Sequence, residues 1–367
     1  MKNFLKNNIK LLFGIIIGII ISGFSVYASI LLNSNEVSID NTNMQLKNAD
    51  NTDVTTVQEA VEALNRNLKA KECALGYDKE NAADYSYGCR TLCKRVTDAT
   101  KLHTEECTNS STSAYCKADG YVAGNLGTTI TYGNAKALNT QLAVGDAFDC
   151  DINGNGVIDV DANNNSTERF YYVSEYFNTD TKTFDDSTGY ATLIYYRNFV
   201  SGSPNDGEAE YNSSNQNYNG PVTALTHLPT ASTWSNITLK ATSRAILGEN
   251  NSTHNTTMTS GGSLPTSFSY AGKVARLLTA QELMRGCGLN QVGGTLSTNC
   301  RFLFELTKYA DSSKATYGSW LETPDANSPN YVWYVYVHGR SVGYRSANSV
   351  DNGVRPVIDV PYSEIAF

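Results

Sequence analysis

The spacing of apolar residues divides the chain into four segments of different character. Residues 11–32 form an uncharged, almost wholly apolar run of 22 positions, and residues 33–54 are polar and rich in asparagine. Residues 55–120 carry a helical pattern followed by closely spaced cysteines. From about residue 127 to the last residue, 367, short β-branched and aromatic runs alternate with Asn, Gly, Asp and Ser. We therefore expect a leader (1–32), a spacer, a helical cysteine-rich stem module and a head (127–367) built from short strands.

The stem module is predicted to begin with a helix. Residues 56–59 read Thr-Val-Gln-Glu, which is a capping-box signature. An apolar stripe at helical spacing follows, formed by Val57, Val61, Leu64 and Leu68. This stripe either packs on the cysteine-rich segment or forms a short oligomeric stalk, and its two heptads are too few to decide between these interpretations.

The head is predicted to be an α+β domain. Its strand candidates are runs of β-branched and aromatic side chains at residues 128–132, 169–173, 191–196 and 331–337. Two helices are expected to begin after Thr230 and Thr279, because each threonine follows closely on a leucine and suits a helix N-cap. The expected fold class is thus short antiparallel strands with two short helices.

The amino terminus has the features of an export signal. Lys2, Lys6 and Lys10 precede the apolar run, and no acidic residue lies among them. The positively charged side of such a segment stays in the cytoplasm, so the rest of the chain is expected at the cell surface or secreted. Residues 11–32 are long enough to anchor the chain in a bilayer. Cleavage after Ala28 is the alternative, and both stay open.

Charge excludes two classes of partner. The chain has a formal net charge of -8, and without the three leader lysines 25 basic residues face 36 acidic ones, a net charge of -11. Nucleic-acid binders need clustered Lys and Arg, and docking on anionic lipid needs a basic face. We therefore expect no nucleic-acid partner, and membrane contact only through the amino-terminal segment.

The cysteines predict disulfides. They all follow the leader, at Cys73, Cys89, Cys93, Cys107, Cys116, Cys150, Cys287 and Cys300. An even number in an exported chain favours disulfides, with Cys287 and Cys300 as the clearest pair. Five cysteines lie between residues 73 and 116, so one of them either stays free or pairs outside this segment, with Cys150 as the obvious partner. The alternative is a zinc site, with ligands drawn from Cys89, Cys93, His103, Cys107 and Cys116.

One loop resembles the first half of a calcium-binding loop. Oxygen-bearing side chains alternate along it, at Asp151, Asn153, Asn155 and Asp159. Gly156 stands sixth, where such loops need a glycine, but the twelfth residue is Ala162 instead of a bidentate acid. Calcium binding would then be weak, with a dissociation constant of about 1 mM. The alternative is a hairpin whose Asn, Gly and Asp residues suit a tight turn.

Three motifs, in order, resemble one superfamily. Residues 274–283, with Arg-Leu-Leu-Thr-Ala-Gln-Glu at their centre, resemble the Arg-Leu-Pro-Thr-x-x-Glu helix entry of the formylglycine-generating-enzyme and C-type-lectin-like superfamily. Residues 317–324 resemble its Trp-Leu-x-(Ser/Thr)-Pro segment, and residues 353–358 its closing Gly-Val-Arg-Pro strand. The resemblance covers residues 127–367 and implies a C-type-lectin-like head, of the kind found in Gram-positive surface proteins.

The motif residues also have a physical interpretation. Thr279 is expected to accept a bond from the backbone near Glu282 and so begin a helix. Gly353 suits a tight turn, and Arg355, flanked by apolar residues, is expected to bond carbonyls or a carboxylate near the domain floor. The superfamily's enzymes use a reactive cysteine pair, with which Cys287 and Cys300 do not align.

The resemblance implies that the irregular stretch before the closing strand forms the ligand-facing surface. Residues 325–352 there carry aromatic and arginine anchors among adaptable polar side chains, the composition of binding hot spots. The candidate ligand-binding residues are Tyr336, His338, Arg340, Ser341, Tyr344, Arg345, Asn348 and Asp351. The stretch also resembles the variable region of retroelement-diversified lectin-fold proteins. A polar loop without a partner is the alternative.

These observations favour binding over catalysis. The four histidines have no metal-site spacing, and no nucleophile-elbow, phosphate-binding or dinucleotide motif stands in the required context. We expect a protein of adhesion or recognition that binds an extracellular protein or glycan, with no catalytic residue and calcium as the one possible cofactor. The alternatives are an enzyme of the formylglycine-generating type, another hydrolase, or a structural envelope component.

Overall fold

The computed structural model describes residue 61 and much of the chain from residue 91 onwards. The described ranges are 91–111, 116, 125–138, 140–186, 189–199, 208–252, 254–258, 266–307, 318–337 and 339–367. Contacts divide the chain into two units, Met1–Lys69 and Ala70–Phe367. Val61 in the first unit is helical, whereas the rest of the expected amino-terminal helix, the leader and the spacer lie outside the described residues. No helix that the structure describes is long and apolar enough to cross a membrane.

Strands dominate the second unit. In chain order they are β1 (Cys93–Arg95), β2 (Thr104–Glu106), β3 (Thr129–Thr131), β4 (Ala147–Cys150), β5 (Arg169–Glu175), β6 (Phe177–Asn178), β7 (Thr183–Phe184), β8 (Tyr190–Tyr195), β9 (Ser243–Ala245), β10 (Leu247–Gly248), β11 (Thr256–Thr257), β12 (Ser267–Ser269), β13 (Gly318–Pro324), β14 (Tyr331–Tyr336), β15 (Ser341–Ser346), β16 (Asn352–Gly353), β17 (Val357–Pro361) and β18 (Ile365–Ala366). Over the described ranges from residue 91 there is one α-helix, α1 (Ala280–Cys287). The four strands expected from sequence are all present.

Two sheets carry most of the fold. The larger has six strands in the order β17-β8-β5-β4-β1-β18, and the smaller has four in the order β15-β14-β13-β16. Most neighbours are antiparallel, whereas β18 runs parallel to β1 and β16 parallel to β13. One apolar core covers the six-stranded sheet, and a second one surrounds Trp320 in the four-stranded sheet. Both cores are needed because each sheet has an apolar face to cover.

A segment ahead of α1 connects the two sheets. Arg276 forms an isolated bridge with Val357 of β17, and Leu278 forms one with Leu321 of β13. The helix then begins at the expected N-cap, where Thr279 accepts a bond from the backbone of Glu282, whose side chain bonds back to complete a capping box. The sequence prediction for this helix is therefore confirmed.

Glu282 also anchors a buried ionic cluster. Arg276 donates to both of its carboxylate oxygens, at 2.8 and 2.6 Å, and to Asp359 at 2.8 Å. The backbone of Phe177 and the hydroxyl of Thr192 donate to the same carboxylate. Burial alone would raise the pKa of Glu282, but the charge and hydrogen bonds of Arg276 outweigh it and lower the pKa to about 2. The cluster therefore keeps its charges because every partner is in place.

The other expected helix is a single turn. The amide of Trp234 bonds to the carbonyl of Thr230 at 2.9 Å, but the chain then leaves helical geometry, and the amide of Asn236 bonds to Ile152 instead. The prediction of two short helices is wrong at this position. The residues after Thr230 are mainly Ser, Thr, Trp and Asn, which are weaker helix formers than the Ala-Gln-Glu-Leu-Met-Arg of α1.

One strand of the expected stem module lies in a sheet of the expected head. β1, which the sequence assigned to the stem module, pairs with β4 and β18 inside the six-stranded sheet. Cys93 and Cys150 face each other in this pairing and form a disulfide. The six-stranded sheet therefore contains residues from both sides of the boundary expected near residue 120.

Three disulfides lie within the described part of the chain: Cys93–Cys150, Cys107–Cys116 and Cys287–Cys300. In the first, Cys150 pairs with a cysteine of the 73–116 segment, as expected. The third is the pair that the sequence favours. A disulfide sulfur is no longer the thiolate that zinc requires, so the zinc alternative loses Cys93, Cys107 and Cys116 as ligands. Cys73 and Cys89 lie outside the described residues.

Candidate functional site

The predicted ligand-facing residues lie on and after the β14–β15 hairpin. Trp333 pairs with Tyr344 across the two strands. Tyr344 is 58% exposed, yet the centre of its ring lies 5.4 Å from that of Tyr331 and 5.6 Å from that of Trp333. The indole N–H of Trp333 donates to the Glu249 carbonyl at 2.8 Å, and this bond fixes the orientation of the indole beneath Tyr344. Tyr344 is thus an exposed aromatic side chain held on a rigid support.

The neighbouring residue presents a charged group on the other face of the strand. Side chains alternate along a strand, so Arg345 points away from the face that carries Tyr344. Its guanidinium forms an ion pair with Asp351 and donates from Nε to the Ser349 hydroxyl at 2.8 Å. Both charged groups keep about a third of their side-chain surface exposed. The expected surface therefore has an aromatic side and an ionic side.

The remaining candidates differ in accessibility. Asn348 is exposed and accepts a bond from Ser346, whereas Tyr336 and Ser341 are half-buried where the hairpin begins to turn. Arg340 adopts a positive φ of 47° in that turn, and its carbonyl accepts a bond from Leu296. His338 lies outside the described residues. None of the described candidates is buried, so the structure brings them to the surface without gathering them into one pocket.

The loop after β4 uses its side-chain oxygens internally. The carboxylate of Asp151 accepts backbone bonds from Gly154, Asn155 and Gly156 at 2.8 to 3.1 Å. Asn153 accepts a bond from the Asn155 amide and donates to Asp159 at 2.7 Å. The segment lies in the connection between antiparallel β4 and β5, which runs over residues 151–168. Among the described residues no cluster of His, Cys, Asp or Glu is placed to hold a metal ion, so calcium binding stays a prediction.

Beneath this loop lies a buried carboxyl group that the sequence did not single out. Glu168 accepts backbone bonds from Ile152 at 3.2 Å and from Asp159 at 2.9 Å. Burial, reinforced by the negative charges of Asp159 and Asp151, raises the pKa of Glu168 to about 7. The two backbone bonds oppose this rise but do not cancel it.

The second unit also contains a cavity that the sequence did not predict. Its volume is about 400 Å³, and the segments that line it come from β2, from the end of the β4–β5 connection, from the end of β8 and from the region near residue 305. Its floor is a buried chain of hydrogen bonds. His103 Nδ1 lies 2.5 Å from Glu305 Oε1, Nε2 lies 2.8 Å from the Ser166 carbonyl, and the Tyr171 hydroxyl donates to the other oxygen of Glu305.

Both ring nitrogens of His103, in the floor of the cavity, are already engaged in hydrogen bonds. A carbonyl only accepts, so Nε2 of His103 carries a hydrogen, and one further proton is shared between Nδ1 and Glu305. Burial, with the negative charge of Glu305 adding to it, raises the pKa of Tyr171 well above its usual value, which keeps its hydroxyl a donor. The floor residues therefore hold the cavity in shape, and any ligand would meet the residues of the rim.

Little in the sequence predicts this cavity. His103 and Glu305 are 202 positions apart and meet only through the tertiary fold. One signal was present, because Glu305 is a single acid after the apolar run Phe302–Phe304, and such a position buries an acid unless it has partners.

Known proteins do not identify the chain. Comparison with protein-family models, with curated proteins and with solved structures finds no match in any of the three.

Proposed function

We propose that this chain is an exported ligand-binding protein of the adhesion or recognition type, whose contact surface is the β14–β15 hairpin and the loop that follows it. The observation that carries the proposal is Tyr344, a largely exposed ring supported by Trp333 and Tyr331. Rigid, exposed aromatic side chains give up little conformational entropy on binding and so make effective contact anchors.

The ionic side of the hairpin adds specificity. Arg345 and Asp351 are paired and partly exposed, so each can bond a ligand without the cost of burying an isolated charge. A partner that offers an acceptor to Arg345 and an apolar group to Tyr344 would use both sides of the hairpin. An extracellular protein or a glycan meets this description.

Three further features support export and a lectin-like head. The lysines ahead of the apolar leader favour translocation of the rest of the chain. Three disulfides within the described residues suit an oxidising compartment. The capped helix α1, the buried Trp320 in β13 and the buried Arg355 between β16 and β17 follow one another in the order expected of a C-type-lectin-like domain.

The test is a binding screen with the full-length chain in detergent, probed on an array of glycans and cell-surface proteins. We expect specific ligands for the wild type, and a loss of affinity of roughly tenfold or more in Tyr344→Ala, since hot-spot truncations cost about 2 kcal/mol. Tyr344→Phe keeps the ring and should retain most of the binding.

Val222→Ala serves as the matched control, because Val222 is another exposed apolar residue and lies outside the hairpin. The thermal unfolding midpoint of each variant checks that the fold is intact. The proposal is wrong if Tyr344→Ala and Arg345→Ala, both folded, bind the same ligands as strongly as the wild type.

A further inference from the structure

The cavity floored by His103 and Glu305 has the dimensions of a small-molecule site. Its volume of about 400 Å³ falls within the range of about 300–1,000 Å³ that such sites occupy. None of the described residues that line it belongs to β14 or β15, so it is a separate place from the surface proposed above. Its ligand therefore has to be inferred from its own lining.

Most of the described residues that line the cavity carry polar groups. Leu306 is the one aliphatic hydrocarbon side chain among them, and the others are carboxylates, hydroxyls, an amide, tyrosines, a histidine and an arginine. An apolar ligand would leave these polar groups without hydrogen bonds when it displaced water from them, at a cost in free energy for each group. The described lining therefore favours a polar ligand over an apolar one.

The charged residues of the lining restrict the class of ligand further. Carboxylates outnumber the cationic groups in the lining, since Glu105, Glu106 and Asp161 accompany the floor residue Glu305. An anionic ligand would be repelled. Arg197 lies in the same lining with its guanidinium 5.2 Å from the Tyr196 ring centre, and it forms no salt bridge to another described residue. A neutral ligand that donates to the carboxylates and accepts from Arg197 uses both kinds of charged group, whereas a cation would use only the carboxylates.

We propose that this cavity binds a short neutral saccharide. Vicinal hydroxyl groups donate to carboxylates and accept from arginine or amide N–H groups at the same time, so a polyol uses both kinds of group in this lining. Glu106 and Asp161 are exposed carboxylates on the rim, and Arg197 and Asn165 supply donors. The saturated His103–Glu305 pair supports these groups from below and does not itself contact the ligand through its ring nitrogens.

A disulfide holds one side of the rim. Thr108, Ser110 and Ser111 line the cavity and follow directly on Cys107, which is bonded to Cys116. The Ser111 hydroxyl accepts from the Thr108 amide at 2.8 Å and donates to the Glu106 carbonyl at 3.1 Å. This part of the rim is therefore preorganised. Removing the disulfide should give the rim more conformational freedom and so weaken ligand binding.

The experiment is saturation-transfer NMR followed by calorimetry on the full-length chain, in a detergent without a sugar headgroup. The probes are glucose, galactose, mannose, N-acetylglucosamine, lactose, cellobiose and chitobiose, with putrescine and glucuronate as cationic and anionic comparators. We expect at least one neutral sugar to bind, and its affinity to fall roughly tenfold in Arg197→Gln and in Glu106→Gln, as loss of a charge-assisted hydrogen bond requires.

Val222→Ala, at an exposed residue outside both sites, should leave sugar binding unchanged. A sugar that binds at the hairpin instead of the cavity would lose affinity in Tyr344→Ala and keep it in Arg197→Gln. A variant with Cys107→Ser and Cys116→Ser should bind the sugar more weakly while its thermal unfolding midpoint shows that it still folds. The proposal is overturned if no sugar binds, if putrescine or glucuronate binds in place of the sugars, or if folded Arg197→Gln and Glu106→Gln variants bind the sugar as the wild type does.

Discussion

Arg355 shows how much a single residue's neighbours in sequence can predict. An arginine between apolar residues must bury its guanidinium, and a buried guanidinium needs acceptors. The structure supplies three backbone carbonyls, of Tyr195 at 2.6 Å, Leu303 at 2.7 Å and Phe302 at 2.8 Å. Burial lowers the pKa of Arg355 to about 10, so the group remains charged at neutral pH. The expectation that it bonds carbonyls is confirmed.

Gly353 shows the limit of the same reasoning. The sequence favoured a tight turn, but Gly353 lies in β16, paired with β13. A β-carbon at this position would come within 2.1 Å of the Asn198 side-chain nitrogen. A glycine leaves room for the buried side chain of Asn198, and no local pattern carries information about a neighbour 155 positions away.

Glu168 leads to a prediction about pH. Its pKa is about 7 in the folded chain and near 4.5 in the unfolded one, so the folded state holds the proton more tightly. The stability contributed by the protonated group is complete below pH 4.5 and is lost as the pH rises through 7, by about 3 kcal/mol at most. Urea unfolding at several pH values measures this fall, which Glu168→Gln should remove between pH 4.5 and 7.

The same measurement tests calcium binding at the loop above Glu168. A bound cation would favour the ionised carboxyl group and so oppose the loss of stability at neutral pH. If the calcium prediction holds, millimolar Ca²⁺ stabilises the wild type at pH 7 but not Asp151→Ala. A wild-type stability that is level from pH 4.5 to 7 would contradict the pKa argument itself.

At the scale of elements, the capping box of α1 is the feature whose energy is easiest to isolate. Thr279→Ala removes the bond from the Glu282 amide and the bond from the threonine hydroxyl to the Glu282 carboxylate. We expect the free energy of unfolding to fall by about 1–2 kcal/mol. Urea denaturation should show this as a lower midpoint with an unchanged slope.

Thr230→Ala is the matched control, since Thr230 looks equivalent in sequence but no helix follows it. Its hydroxyl bonds only to the exposed Ser232, so we expect a change within about 0.5 kcal/mol. Equal losses in the two variants would mean that the capping box contributes nothing beyond a surface threonine.

The elements predicted from sequence share a physical property. The confirmed strands and α1 carry strong local signals, either β-branched and aromatic runs or a capping box followed by good helix formers. Two-residue strands such as β6, β7, β10 and β11 have no period to detect, and they form because neighbours hold them in place. The hairpin surface was accessible to prediction because it lies within one continuous stretch of chain.

At the scale of the whole molecule, the sequence could not reveal what distant segments build together. The cavity draws His103, Asp161, Arg197 and Glu305 from four separate segments. The pairing of β1 with β18 joins residues more than 270 positions apart. Each contact depends on the complete topology, whereas local patterns report only burial and backbone preference. For this reason the sequence assigned β1 to the stem module, although β1 pairs within the six-stranded sheet.

That boundary gives the last prediction. A chain that begins at residue 91 keeps β1 and β2, the disulfide Cys93–Cys150 and the rim of the cavity. A chain that begins at residue 127, where the sequence placed the head, removes β1 from between β4 and β18 and leaves Cys150 without its partner. It thus exposes the edge of β4 and the apolar surface that β1 covers.

We expect the chain from residue 91 to unfold in one cooperative transition and the chain from residue 127 to aggregate or to lose its sharp transition. Circular dichroism during heating, with size-exclusion chromatography beforehand, distinguishes these outcomes. Adding Cys150→Ser to the shorter chain removes the free thiol as a cause of aggregation. A monomeric shorter chain with the same sharp transition would place the folding boundary after β1 and restore a separate stem.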